Sequence, residues 1–261
     1  DALKRSPKLF AMGMGGFSEK LPKLLKSMKW KLCKIPFHFL VLNPNKFLLN
    51  IAFLRRNLLT KLVFNTLAYL KIGSIIIKLL FFLRKRKFNF SNLKINEFEK
   101  FDNAFDKLWN KEKIKYKFIA VRDSQTLNKL YSDSKFAKII VCENDDLIGW
   151  VVLLNTQMKK HKQFGSMRVG SIVDCFADPK NATKILYSAT EYLKSCKVDI
   201  IVANHSHLVW NKSFQDIGYL QGPSNFLFAA SNALANEIEP FKENCKKLFL
   251  MRGDGDGPIN L

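Results

Sequence analysis

The sequence predicts an α/β fold with a mixed sheet flanked by helices, on three observations. Two apolar, β-branched runs, residues 139–142 and 147–154, face each other across Asn144-Asp145-Asp146 and read as a hairpin. A third apolar run, residues 169–176, stops at Asp178-Pro179. A helix-period segment, residues 182–194, and a short buried strand, residues 198–203, follow it. A strand–helix–strand unit of this length needs a right-handed crossover. Its two strands therefore lie parallel, with a ligand-accepting cleft at their carboxyl ends.

Taken in order, the chain divides into three. Residues 1–57 combine a glycine cluster (Gly13-Met14-Gly15-Gly16), a short helix ending at Trp30, and a strand at 37–42 after Pro36. Residues 58–95 form an apolar and basic helical linker. Lys61, Lys71 and Lys78 interrupt its apolar run before it reaches the length of a membrane-spanning helix. Two arrangements stay open for 58–87: a helix pair packed between flanking units, or a surface-lying amphipathic helix held to acidic lipid by Arg84-Lys85-Arg86-Lys87. Residues 96–261 carry the αβ block, entered by a helix over 97–110 and closed by a helix over 208–217, Gly218-Tyr219, Pro223 and a strand at 226–228. The order helix, aromatic turn, Pro, strand thus occurs twice. The echo suggests that 1–57 is the end of a first copy of the later unit.

The chain has 261 residues, 48% of them hydrophobic, enough for one large domain or two ordinary ones. It begins at Asp1 without a methionine, and the expectation is that an N-terminal part precedes it. The net charge of +21 comes mostly from lysine. Nucleic-acid readers favour arginine for bidentate contacts, so no specific nucleic-acid partner is expected, although such a field attracts acidic ligands and lipid. Cys33, Cys142, Cys175, Cys196 and Cys245 show no metal-ligand spacing and read as buried thiols in a reducing compartment. The expected location is the cytoplasm or the inner face of its membrane.

The run of elements from 118 to 228 resembles the Gcn5-related, acyl-CoA-dependent N-acyltransferase superfamily. The residues that carry this are Ile148-Gly149-Trp150-Val151-Val152, the strand into Asp174-Cys175-Phe176-Ala177-Asp178-Pro179, and Phe214-Gln215-Asp216-Ile217-Gly218-Tyr219. The glycine cluster, Leu21-Pro22-Lys23-Leu24-Leu25, Pro36-Phe37 and Arg252-Gly253-Asp254-Gly255-Asp256-Gly257-Pro258 are similar to a bacterial set with two such domains in tandem. The resemblance implies a complete second copy and a partial first one. It implies acyl transfer from acetyl-CoA or another acyl-CoA to an amine acceptor, and a role in envelope or surface-polysaccharide metabolism. It places the thioester between the splayed strands 169–176 and 198–203. Phe176, Ala177, Asp178, Lys180, Asn181, Ala182, Asn204 and Phe214 would then line the cofactor.

Two departures matter. The family's phosphate loop is rich in glycine, whereas Ala177-Asp178-Pro179-Lys180-Asn181-Ala182-Thr183 has none, and Pro179 lacks an N–H. Phe214 stands where many members carry a tyrosine acid, and a phenyl ring cannot protonate a thiolate. His205 and His207, at the end of strand 198–203 with Asn204 beside them, are candidate general bases, and Asp174, near the end of strand 169–176, is a further catalytic candidate. The other reading gives the histidines to the start of the next helix and Asp178-Pro179 to plain helix capping. No metal site is expected. Trp150 and Trp210 are expected in the core, and the Gly253–Gly257 tail as a flexible turn. A non-catalytic scaffold or ligand sensor of the same fold, and a basic RNA-binding or membrane-surface protein, are the alternatives.

Overall fold

The computed structural model describes residues 2–14, 19–84 and 86–255. Gly15, Gly16, Lys85, Asp256, Gly257 and Pro258, all quoted above, lie outside the described residues. The strands are β1 (Phe10–Met14), β2 (Lys31–Lys34), β3 (Phe37–Val41), β4 (Leu93–Glu97), β5 (Phe118–Ile119), β6 (Ala137–Glu143), β7 (Asp146–Gln157), β8 (Arg168–Ala177), β9 (Ile200–Asn204), β10 (Leu220–Gly222), β11 (Phe226–Ala230) and β12 (Leu248–Phe249). The helices of the first half are α1 (Ala2–Arg5), α2 (Lys20–Ser27), α3 (Pro44–Asn50), α4 (Leu58–Tyr69) and α5 (Ile72–Arg84). Those of the second are α6 (Asn103–Glu112), α7 (Ser124–Leu130), α8 (Ala182–Ser195), α9 (Leu208–Asp216), α10 (Asn232–Glu237) and α11 (Phe241–Asn244).

The expected mixed, partly splayed sheet is the one observed. A seven-stranded sheet runs β10-β3-β9-β8-β7-β6-β4. β6 and β7 pair antiparallel across a tight turn in which Asn144 and Asp145 take φ of 50° and 70°. Asn and Asp tolerate this left-handed backbone, whose twist suits a hairpin. β8 and β9 are parallel, but only Val169–Ile172 of β8 finds partners on β9. At that point the β7/β8 register slips, so Val173 is an extra residue on β8, a bulge that bends the strand. Beyond it β8 continues to Ala177 along β7 alone. The bulge is the physical cause of the splay.

α8 covers one face of this sheet through Ile185, Leu186, Ala189 and Leu193. Its approach is so close that a Cβ on Gly149 would stand 2.5 Å from Ile185 Cδ1 and 2.7 Å from the Phe176 carbonyl oxygen. Trp150 and Trp210 are fully buried in the same core. The helix expected over 97–110 starts instead at Asn103, where Asp102 accepts from the Ala104 N–H at 2.8 Å. Glu97 and the preceding Leu93–Asn96 pair with β6 as the edge strand β4, so residues placed in the linker join the sheet.

The echoed halves exchange strands. β2 and β3 follow α2 just as β10 and β11 follow α9, with Pro36 and Pro223 at the crossings. β3 inserts between β9 and β10, while β11 pairs with β1 on one side and β2 on the other. The segment 1–57 therefore shares both sheets with 200–230. Ile35 N–H donates to the Phe226 carbonyl at 2.9 Å and fastens the crossing. The cysteine reading needs correction: Cys33 of β2 and Cys245 beyond α11 form a disulfide, and Cys142, Cys175 and Cys196 stay free. The exchange brings that pair together, because β11 carries β2 over the α10–α11 layer.

Candidate functional site

The splayed end of β8 is built from residues far apart in the chain. β12 and the turn Arg252–Asp254 run into the opening between β8 and β9. Met251 bridges to His205, and its sulfur lies 3.4 Å from Cys175 Sγ. Ser206 N–H donates to the Leu250 carbonyl at 3.0 Å, and Leu250 N–H donates to Ser206 Oγ at 2.9 Å. The tail expected as a flexible turn is thus, as far as Gly255, packed against the core. Gly253 sits against Tyr131 and Asp174 with no room for a side chain.

Beneath this segment lies a buried ionic cluster. Arg122 donates to Asp174 at 3.1 Å and to both oxygens of Asp254 at 2.8 Å. Tyr131 Oη donates to Asp174 at 2.9 Å, and the Cys175 N–H adds a bond of 2.9 Å. Burial pushes the Asp174 carboxyl up to about 6, against the pull of Arg122. Burial alone would lower Arg122, yet Asp174 and Asp254 hold it above its ordinary value. Two carboxylates on one guanidinium make a closed, satisfied pair system whose rupture is costly. Asp174 is therefore committed to Arg122 and Tyr131.

The histidines are buried too. His205 is stacked on Trp210 with 5.2 Å between ring centroids and meets Phe249 edge-on at 4.6 Å. Its Nδ1 accepts from the His207 N–H at 3.0 Å, which leaves the proton on Nε2, buried without a partner among the described residues. His207 caps α9, its Nδ1 accepting from the Val209 N–H at 3.3 Å. Burial lowers both imidazoles, His205 far below its ordinary value. Phe214 is fully buried and stacked at 4.6 Å on His38, whose Nε2 lies 2.6 Å from Asn211 Oδ1. His38, Arg122 and Tyr131 were not singled out from the sequence, and Asp254 was quoted only within the C-terminal Gly-Asp run. A lone His in a strand and an Arg in a loop carry no spacing signal.

The loop at the start of α8 is occupied by its own bonds. Asp178 Oδ1 accepts from the Lys180 N–H at 3.0 Å, its carbonyl accepts from the Asn181 N–H at 2.8 Å, and the Ala182 N–H donates to the Pro179 carbonyl. The amides of Lys180, Asn181 and Ala182, which could receive a phosphate at this helix start, are thus satisfied internally. Tyr116 Oη donates to the Ala177 carbonyl at 2.6 Å and accepts from Trp210 Nε1 at 3.0 Å. Phe176, Ala177 and Ala182 are fully buried, Asn181 is half-buried and Lys180 is exposed.

Beside this loop a groove of about 660 Å³ separates α6 from α8. Lys111, Lys180 and Lys184 line it with Glu112, Glu143 and Asp178. Lys115 Nζ lies 2.5 Å from both Asp178 and Glu112, and Lys184 lies 2.5 Å from Glu143. Burial would raise Asp178, but Lys115 and the Lys180 N–H bring it below its ordinary value. The groove is a set of paired, partly exposed charges that an entering polyanion could reorganise.

The remaining candidate, Asn204, faces the other way. Side chains alternate along β9, so Ile201 and Ala203 point toward α8 while Ile200, Val202 and Asn204 point to the opposite face. There a cavity of about 220 Å³ opens among Phe37, Phe39, Phe47, Phe164 and Ile200, with Asn204 and Arg252 at its floor. Among the described residues no group of three or more His, Cys, Asp or Glu is arranged to hold a metal ion.

No protein-family model matches the chain, and no curated protein sequence matches it. Solved structures do. The chain is similar to a functionally unknown conserved protein from Staphylococcus epidermidis, at 10% identity and TM-score 0.44, over 85% of this chain and 71% of that one. It is similar to Saccharomyces cerevisiae N-myristoyltransferase with bound myristoyl-CoA and inhibitors, at 12% identity and TM-score 0.44, over 77% of this chain and 48% of that one. A third likeness is to an aminoglycoside acetyltransferase from an uncultured soil metagenomic sample, at 15% identity and TM-score 0.29, over 41% of this chain and 73% of that one. These are partial likenesses of backbone.

Proposed function

We propose that this chain is an acyl-CoA-dependent N-acyltransferase, with the cofactor's phosphates in the lysine-lined groove beside the start of α8. The observation that carries this reading is the splay itself: β8 and β9 run parallel, separate at the Val173 bulge, and are joined by α8. The resemblance of the elements from 118 to 228 supports the choice of thioester. In the reaction the acceptor nitrogen attacks the thioester carbon, a C–N bond forms and the C–S bond breaks. The amine proton passes to His207, whose Nδ1 gives up the 3.3 Å bond from the Val209 N–H to receive it. It then passes to the leaving thiolate, which departs as free CoA. His205, with its proton on Nε2, only positions His207. Asp174, held by Arg122, positions β8 rather than touching substrate. The residues proposed along the cofactor are Phe176, Ala177, Asp178, Lys180, Asn181, Ala182 and Phe214; Asn204, on the opposite face of β9, is not among them. Because Leu250 and Met251 fill the opening, this chemistry requires that segment to yield.

A thiol-release assay with acetyl-CoA and a panel of amines tests the reading on the whole chain. Amine-dependent CoA release that falls in His207→Ala supports it. Release unchanged in the double variant His205→Ala/His207→Ala removes the proposed base. Absence of any release, with acetyl-CoA still bound, supports the second reading, a non-catalytic ligand sensor. The internally bonded loop at 178–182 and the buried histidines favour that second reading.

The proposal includes a membrane contact through α4 and α5. Leu58 is 85% exposed, Tyr69 88% and Phe82 74%. Among the described residues no single helix is long and apolar enough to cross a membrane, and α4 and α5 meet at 79°. Apolar faces with Lys71, Lys78, Arg84 and Arg86 around them suit the surface of an anionic bilayer. An acceptor from envelope or surface-polysaccharide metabolism fits an enzyme at a membrane's inner face. Co-sedimentation with anionic vesicles that salt reverses supports this contact; equal binding to neutral vesicles contradicts it.

A further inference from the structure

The cavity on the far face of β9 has the features of a built small-molecule site. Its walls are aromatic and aliphatic: Phe37 and Phe39 from β3, Phe47 and Ile51 from the α3 region, and Phe164 and Ile200. A dry apolar cavity of about 150 Å³ takes up benzene. This one, at about 220 Å³, is larger by the share that a fused second ring adds.

The walls ask for an apolar ligand, and the floor adds one requirement. Asn204 is almost wholly buried, and its Nδ2 donates to the Pro36 carbonyl at 3.3 Å. A flipped amide would set two oxygens against each other, so Oδ1 is the atom left over. That oxygen is buried and has no hydrogen-bond partner among the described residues. A buried acceptor in this state costs stability that one donor from outside would restore. Arg252, its neighbour at the floor, is engaged by the fold, its Nη1 donating to Ser171 Oγ at 3.2 Å, and no part of the ligand is assigned to it.

A complementary ligand is therefore neutral, flat and apolar, with a single donor at its edge. A hydroxyl would satisfy Asn204 but carry lone pairs that the phenylalanine walls leave unpaired, whereas an indole N–H donates and accepts nothing. An ammonium or a carboxylate would lose its water against the same walls. We propose that the cavity binds a neutral fused-ring aromatic of the indole class, its ring N–H donating to Asn204 Oδ1. The nitrogen's lone pair belongs to the ring, so the compound is a bound ligand and not an acyl acceptor. The site goes beyond the transferase reading and does not depend on it.

Calorimetry on the whole chain tests this with indole, benzofuran and tryptamine as probes. Benzofuran has the same outline with an oxygen in place of the N–H, and tryptamine keeps the N–H but adds an ammonium. Saturable indole binding is expected, with both analogues weaker by roughly tenfold or more. Asn204→Leu keeps the size of the side chain, removes the acceptor, and is expected to erase the preference for indole over benzofuran. Leu54→Trp places a ring at the partly exposed rim of the cavity, away from the core, and is expected to abolish the heat while leaving the melting temperature near wild type. Equal affinity for indole and benzofuran would reduce the cavity to an apolar sink and overturn the proposal, as would tryptamine binding as tightly as indole. So would a lack of indole binding at millimolar concentration, a preference for indole that persists in Asn204→Leu, or binding unchanged in Leu54→Trp. Acetyl-CoA is titrated separately. Indole binding without acetyl-CoA binding keeps this inference and removes the transferase reading, and the reverse result does the opposite.

Discussion

The two faces of β9 differ in a way that residue type alone does not reveal. On the α8 face, most groups with obvious chemistry are consumed by the fold, Asp174 by Arg122, His207 by the start of α9, Phe214 by His38 and Tyr116 by Ala177, while His205 Nε2 stays without a partner among the described residues. On the opposite face, the single polar side chain of an otherwise apolar strand keeps an unused acceptor at the floor of a cavity. Reactive residue types gathered at a cleft become structural once their hydrogen bonds close among themselves. A modest amide becomes a recognition group when burial leaves it one bond short.

The comparison breaks most readily at the ionic cluster. Arg122→Met leaves Asp174 and Asp254 facing each other without a cation. We expect a loss of about 3–5 kcal/mol in denaturant unfolding, and a smaller loss when Asp254→Asn removes one carboxylate. A cluster that is merely decorative would show neither.

Acidification sharpens the comparison next. Burial brings His38 down to about 4 from an ordinary 6.5. Its folded value is depressed, so the stability it contributes is whole above 6.5 and is lost as the pH falls through about 4. At about 1.36 kcal/mol per unit this single group accounts for roughly 3 kcal/mol. His205 and His207 shift in the same direction. Asp174, raised to about 6, works the other way: its contribution is present at low pH and goes as the pH rises through 6. The melting temperature should therefore fall between pH 7 and pH 4, and His38→Gln should flatten part of that fall. A smaller effect is expected at Gly149→Ala, which pushes a methyl into Ile185 and the Phe176 carbonyl and should cost about 1–3 kcal/mol.

Much of the α8 side was legible in the sequence. The hairpin at Asn144-Asp145, the stop at Asp178-Pro179 and the helix period of 182–194 are local signals, and each matches an observed boundary closely. Leu93–Glu97 was missed as a strand because an edge strand with one buried face, followed by Asp102, looks like the approach to a helix. The strand exchange was visible only as an echo. That β3 lies against β9 and β11 against β2 is decided by non-local pairing, which no short window carries. The same holds for Arg122, Asp254 and the disulfide of Cys33 with Cys245, whose partners lie far apart in the chain. Asn204 was singled out for its place at a strand end, but β-alternation turns it away from the histidines beside it.

The most direct test of the central claim, that a thioester cofactor lies along the α8 face and not in the far cavity, is equilibrium titration of the whole chain with acetyl-CoA, set against ATP, in wild type, Lys180→Glu/Lys184→Glu and Leu54→Trp. The account predicts saturable acetyl-CoA binding that exceeds ATP binding, is lost in the double lysine variant and persists in Leu54→Trp. Equal binding of ATP, or acetyl-CoA binding that survives loss of both lysines and disappears in Leu54→Trp, would contradict it.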